Sequence, residues 1–142
     1  MPRPLSLSRR QAPILGFRRL ATTEFENNLM EFKMIDENGP HYFVAFQTPG
    51  PKWVQGVQYN EQPEFMDHVG YMLKMQEEGR TVLSGPFMKK AGGLNGVLAD
   101  GGMTIFKAAD LAEAIKIGSD DPTVKSGMLN VEVKMMWVPF HL

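Results

Sequence analysis

Cysteine is missing from all 142 residues. Disulfides, zinc–thiolate sites, iron–sulfur clusters and thiol nucleophiles are therefore excluded. No apolar run approaches the roughly 20 residues that a membrane-crossing helix needs. Neither sign of charge is in excess, since 15 Lys and Arg stand against 16 Asp and Glu for a net of −1. A nucleic-acid surface would show clustered Lys and Arg, so that class is argued against. Histidine is scarce, with only three in the chain. Methionine is plentiful at 11, and most of it is expected to fill irregular gaps in a core. The length suits one domain with a tail and allows a sizeable buried core.

The tail is residues 1–40 and the domain residues 41–142. Arg3, Arg9, Arg10, Arg18 and Arg19 are interleaved with Ser, Leu and Ala, and no acid precedes Glu24. That is the composition of an organelle transit peptide, but equally of a disordered basic tail or of a segment upstream of the true start. The expected location is cytoplasmic, or mitochondrial or another organelle if residues 1–23 are such a peptide. Glu24–Phe32 reads as a short helix with Phe25, Leu29 and Phe32 on one side. The turn cluster Asp36 to Pro40 then marks the boundary.

The first strand is expected at His41–Gln47, with Tyr42, Val44 and Phe46 on one face and Phe43 and Ala45 on the other. Thr48-Pro49-Gly50-Pro51 breaks it, and an aromatic loop follows through Trp53 and Tyr59. In the next helix Phe65, Val69, Met72 and Leu73 recur at spacings of three and four, with His68 on the edge of the stripe. Gly79 stops the helix in a left-handed conformation. Thr81–Ser84 is a short strand that Gly85-Pro86 terminates, and Met88–Gly93 is a loop. A hairpin is expected to turn at Ala99–Gly102. Asp110 with Glu113 resembles a capping box for a second helix that buries Leu111, Ala114 and Ile115. Leu129–Phe140 is the last strand.

The order is strand, helix, strand, strand, helix, strand. This is the split βαβ, ferredoxin-like α+β arrangement, an antiparallel sheet with both helices on one face. Yet the first strand is apolar on both faces, and Met103, Ile105 and Phe106 make the third similar. A sheet buried on two faces needs a second cover, and the simplest is the same sheet of another copy. A homodimer through the open sheet face is expected.

His68, the helix end Glu78-Gly79-Arg80, Ser84-Gly85-Pro86, and Asp121-Pro122 with Gly127 occur in an order and spacing that resemble the YciI-related (YCII) family of the dimeric α+β barrel superfamily. The resemblance spans residues 41–142 and none of the arginine-rich start. It implies a ferredoxin-like dimer in which His68 and Asp121 are the candidates for enzymatic work. Most members have no assigned reaction. Relatives in the superfamily include muconolactone isomerases, and the YciI-like group includes a dehydrochlorinase acting on a chlorinated hydroxyquinol. Some members carry an acidic residue just after the first strand, where this chain has Thr48-Pro49.

Each candidate has a plainer alternative. His68 can take and return a proton near neutral pH, or sit at a core edge bonded to backbone. Asp121 can orient the imidazole, or cap the turn before Pro122, or both. The expected topology separates them, with the first helix starting and the second ending at opposite ends of the sheet, unless loops or a partner chain bring them together. Ser84 can donate to a bound oxygen, or satisfy a strand end. Tyr42, Trp53 and Tyr59 can line an apolar pocket, or anchor core and loop. His41 and His141 are expected near each other but are too few for a metal site. The reading is a small enzyme that needs no cofactor and uses His68 as general acid or base on a small organic molecule, by isomerase, lyase or hydrolase chemistry. The alternative is a non-catalytic ligand-binding or dimerisation module.

Overall fold

The sheet is built on β1 (His41–Pro49), which runs two residues further than its alternation predicts and lies between β3 (Val97–Phe106) and β4 (Leu129–Trp137). A computed structural model describes residues 23–28 and 35–142 of the chain. The four strands follow the order β2-β3-β1-β4, with β2 (Thr81–Lys90) on one edge, and every pairing is antiparallel. Helix α1 (Phe65–Glu77) joins β1 to β2, and α2 (Leu111–Ser119) and the short α3 (Pro122–Ser126) join β3 to β4. The chain separates into two units, one of residues before Pro40 with Pro139–Leu142, the other Pro40–Val138. Residues 23–28 are helical in the first unit; the rest of the helix expected at Glu24–Phe32, and the arginine-rich residues 1–22, lie outside the described residues. In the same unit His141 bonds Asp36 at 2.7 Å.

Phe43, Ala45 and Phe106 form the sheet side of the core, against Met75 of α1 and Ala114 of α2. Phe43 and Ala45 share a face because strand side chains alternate. The capping box holds: the Asp110 carboxylate accepts from the Glu113 N–H, and Glu113 reaches back to the Ala109 N–H. At the end of α1, Gly79 takes the left-handed conformation with φ of 73°.

Several expectations fail for physical reasons. Gly85-Pro86 does not end β2, because an edge strand tolerates the missing N–H of proline, and Pro86 stands opposite Gly102. Ala99–Gly102 is no hairpin turn: β3 runs through it, and its residues Ala99, Asp100 and Gly101 bulge opposite the single residue Phe87. The turn lies instead at residues 91–96, around a 3₁₀ turn at Gly93–Asn95. Residues Val138–Phe140 fall outside β4. Leu111 and Ile115 are exposed, and Ile117 packs on the core in their place beside Ala114. In α1, His68 and Met75 are the buried residues, so His68 is central in the stripe rather than at its edge.

Candidate active site

Antiparallel pairing explains why the site forms within one chain. Phe43 pairs with Phe106 and Gln47 with Gly102, so β1 and β3 run in opposite directions. Helix α2 leaves from the Phe106 end of β3 and returns to the Gln47 end of β1. Helix α1 starts at that same end. The expected separation of His68 from Asp121 is therefore wrong, and they meet at 2.6 Å, His68 Nδ1 to Asp121 Oδ2. The Tyr71 hydroxyl fastens the two helices by donating to the Ile117 carbonyl at 2.6 Å. Ser126 of α3 donates to the Glu64 carboxylate just before α1.

Asp121 serves the cap and the histidine together, one oxygen each. Its Oδ1 accepts from the Thr123 N–H at 2.9 Å and the Thr123 hydroxyl at 2.6 Å, and Pro122 opens α3 where a missing N–H costs nothing. Asp121 is 3% exposed and Thr123 fully buried. A carboxylate only accepts, so the Nδ1 of His68 carries the proton of this bond. The other ring nitrogen, Nε2, lies 3.1 Å from the Tyr59 hydroxyl. Burial, and then the nearby charge of Asp121, push the Tyr59 phenol well above its ordinary range. It is therefore a neutral donor to Nε2, and the chain of bonds runs Tyr59, His68, Asp121, Thr123.

The loop between β1 and α1 places Tyr59. Gly50 begins it against backbone: its N–H donates to the Met128 carbonyl and that of Lys52 to the Gly127 carbonyl, both at 2.8 Å. The Gln62 carboxamide closes the loop, accepting from the Val54 N–H and donating to the Val54 and Val57 carbonyls. Trp53 and Phe65 meet the Tyr59 ring edge-on, each with centroids 5.5 Å away. Trp53 thus supports Tyr59 and does not itself line the cavity.

That cavity, of about 220 Å³, opens between α1 and the sheet. Its polar wall includes His68, Tyr59, Gln47, Ser84 and Thr81, and its apolar wall Phe65, Val69, Met72, Leu73 and Pro86. Leu73, expected in the core, is half exposed because it faces this space. Ser84 lies mid-strand, bonded to the Thr104 hydroxyl at 2.8 Å, and Gln47 donates to the same hydroxyl at 3.2 Å. The Thr81 hydroxyl is buried and has no partner among the described residues. Tyr42 does not belong here: strand alternation puts it on the opposite face from Phe43 and Gln47. Reasoning from sequence missed Gln47, Gln62 and Thr123, and gave Tyr59 only a lining or anchoring part. The Asp121-Pro122-Thr123 capping pattern could have flagged Thr123; no local signal marks the glutamines. Among the described residues no group of three or more His, Asp or Glu side chains could hold a metal. Nor is any described helix long and apolar enough to cross a membrane.

The fold is α+β and ferredoxin-like, the class of the dimeric α+β barrels. The YCII-related domain matches residues 43–137, more than half of the chain, and the chain belongs to that family. One similar solved structure is the 5-chloro-2-hydroxyhydroquinone dehydrochlorinase of Burkholderia phenoliruptrix AC1100, in complex with 2,5-dihydroxybenzoquinone. It is 18% identical, with a TM-score of 0.51 over 68% of this chain and 92% of the other. No curated protein matches the chain.

Proposed function

We propose that the protein is an enzyme in which His68 moves a proton on a small organic molecule held between α1 and the sheet. The observation that carries this is the buried His68–Asp121 bond at 2.6 Å on the wall of a cavity. A carboxylate on Nδ1 fixes the tautomer and stabilises the imidazolium that forms when a proton is taken. Among the described residues the cavity wall carries no Lys, Arg, Asp or Glu, and an uncharged ligand suits it, with hydroxyl or carbonyl groups for Gln47, Ser84 and Thr81. The chemistry is elimination, isomerisation or hydrolysis. The dehydrochlorinase of similar fold suggests hydroxylated aromatics as first substrates to try.

His68→Ala tests it on a panel of chlorinated and unchlorinated hydroquinones. The wild type is expected to turn over at least one, and the variant to lose about 10²- to 10⁴-fold in kcat while remaining folded. Equal rates would sink the proposal. One observation favours a second reading: both ring nitrogens of His68 are bonded, as in a purely structural histidine. On that reading the protein is a binding or dimerisation module, and His68→Ala lowers the melting temperature without altering any rate.

We also propose that the working form is a homodimer joined through the face of the sheet away from the helices. Val44, Phe46, Met103 and Ile105 alternate onto that face beside Leu83 and Phe87 of β2, the last two about half exposed. An apolar strip of this kind needs a cover, and its own copy is complementary to it. Sedimentation equilibrium measures the assembly, and the mass of a single chain at micromolar concentration would refute it.

A further inference from the structure

Neither nitrogen of the His68 ring is free to meet a molecule in the cavity. Nδ1 is taken by Asp121 and Nε2 by the Tyr59 hydroxyl. Tyr59, which also lines the cavity, is the outer end of this chain of bonds. Among the described residues no donor reaches its oxygen, so one lone pair is left to accept. Its ring is clamped between Trp53 and Phe65, and the loop carrying it is stapled by Gln62. Trp53 and Tyr59 also pack with Met128 and Leu129 in a second buried cluster, so the ring is fixed while its hydroxyl meets His68.

Resting on the reading of His68 given above, we infer that Tyr59 is a catalytic residue, the group through which protons pass between ligand and His68. In the forward step a C–H or O–H bond of the ligand breaks and its proton bonds to the Tyr59 oxygen. In the same step the Tyr59 O–H bond breaks and that proton bonds to His68 Nε2. The electron pair left behind stays on the ligand, or forms a new C=C bond while the bond to a leaving group breaks and that group departs as an anion with its own pair. The imidazolium so formed keeps its Nδ1–H on the Asp121 carboxylate. Reversal returns a proton by the same route, to another atom of the ligand frame or to the leaving group. No oxidant, reductant or further reactant is needed. Because burial keeps the phenol protonated, Tyr59 does not act as a free tyrosinate, and the two transfers are coupled.

Tyr59→Phe removes one oxygen and keeps the ring against Trp53, Phe65 and His68. It is compared with wild type and His68→Ala on the same hydroquinone panel, with folding checked by circular dichroism. The expected result is a fall in kcat of about 10²-fold or more with KM little changed. The dependence of kcat on the deuterium fraction of the solvent is expected to be curved in wild type, with two protons in flight, and linear in the residual activity of Tyr59→Phe. A merely structural Tyr59 would move KM or the melting temperature and leave that curvature in place. If His68→Ala is inactive while Tyr59→Phe keeps wild-type kcat and curvature, this inference fails and the His68 reading stands. If His68→Ala is itself as active as wild type, both fall.

Discussion

Asp121 has two oxygens and commits them to different tasks. Oδ1 holds α3 through Thr123, and Oδ2 holds His68. Sequence offered these as two readings of one residue that could hold together, and both bonds are present, since capping uses one oxygen and leaves the other free. Tyr59 has a separate consequence for stability. An ordinary tyrosine ionises near 10; in the folded chain Tyr59 is pushed well above that, and Tyr71 up to about 12, chiefly by burial. Below pH 10 folded and unfolded chains both hold these protons, so the phenols add no pH dependence. Above it the unfolded chain releases protons that the folded chain retains, and stability falls as pH rises. Thermal melts between pH 9 and 11.5 are expected to show this fall, less steeply in Tyr59→Phe. Equal slopes in the two proteins would remove Tyr59 as a cause.

Among the elements, periodic segments were legible and irregular ones were not. The helix stripe, the capping box and the left-handed Gly79 are local patterns, written within a few residues of each other. The bulge at Ala99–Gly101 is set by a neighbouring strand, so Gly101 and the adjacent Gly102 read as a turn when only the local chain is visible. The meeting of α1 with the end of α2 follows from the direction of β3 relative to β1, a long-range fact that residue spacing does not carry. Gly50 is a third case: read as a strand breaker, it is needed for close approach. A side-chain carbon there would stand 2.3 Å from the Gly127 carbonyl oxygen, which is backbone and cannot swing aside. Gly50→Ala is expected to destabilise the protein by about 1–3 kcal/mol, measured by urea unfolding. An unchanged midpoint would show that the loop yields without cost.

For the whole molecule, the two faces of the sheet divide the work. The face carrying Phe43, Ala45 and Gln47 builds the core and the cavity; the other carries Tyr42, Val44 and Phe46. Tyr42 belongs to the second, which is why it left the site. Its apolarity was legible in the alternation of β1. In the homodimer we propose, Ile105→Glu would bury a charge at the joint without touching the cavity. The variant is expected to sediment as a single chain with its helical content intact; a variant that still pairs would direct attention to another surface.

One consequence of the Tyr59–His68–Asp121–Thr123 chain concerns entropy. A free side chain of this size gives up rotamer freedom when it is fixed, up to about 2 kcal/mol for the longest ones. Here the carboxylate is pinned by a cap, the imidazole by two partners and the phenol ring by two aromatic edges. That loss is incurred once, when the chain folds. In the function we propose, a molecule entering the cavity meets Tyr59 with His68 and Asp121 already aligned behind it, and its arrival does not have to order them again.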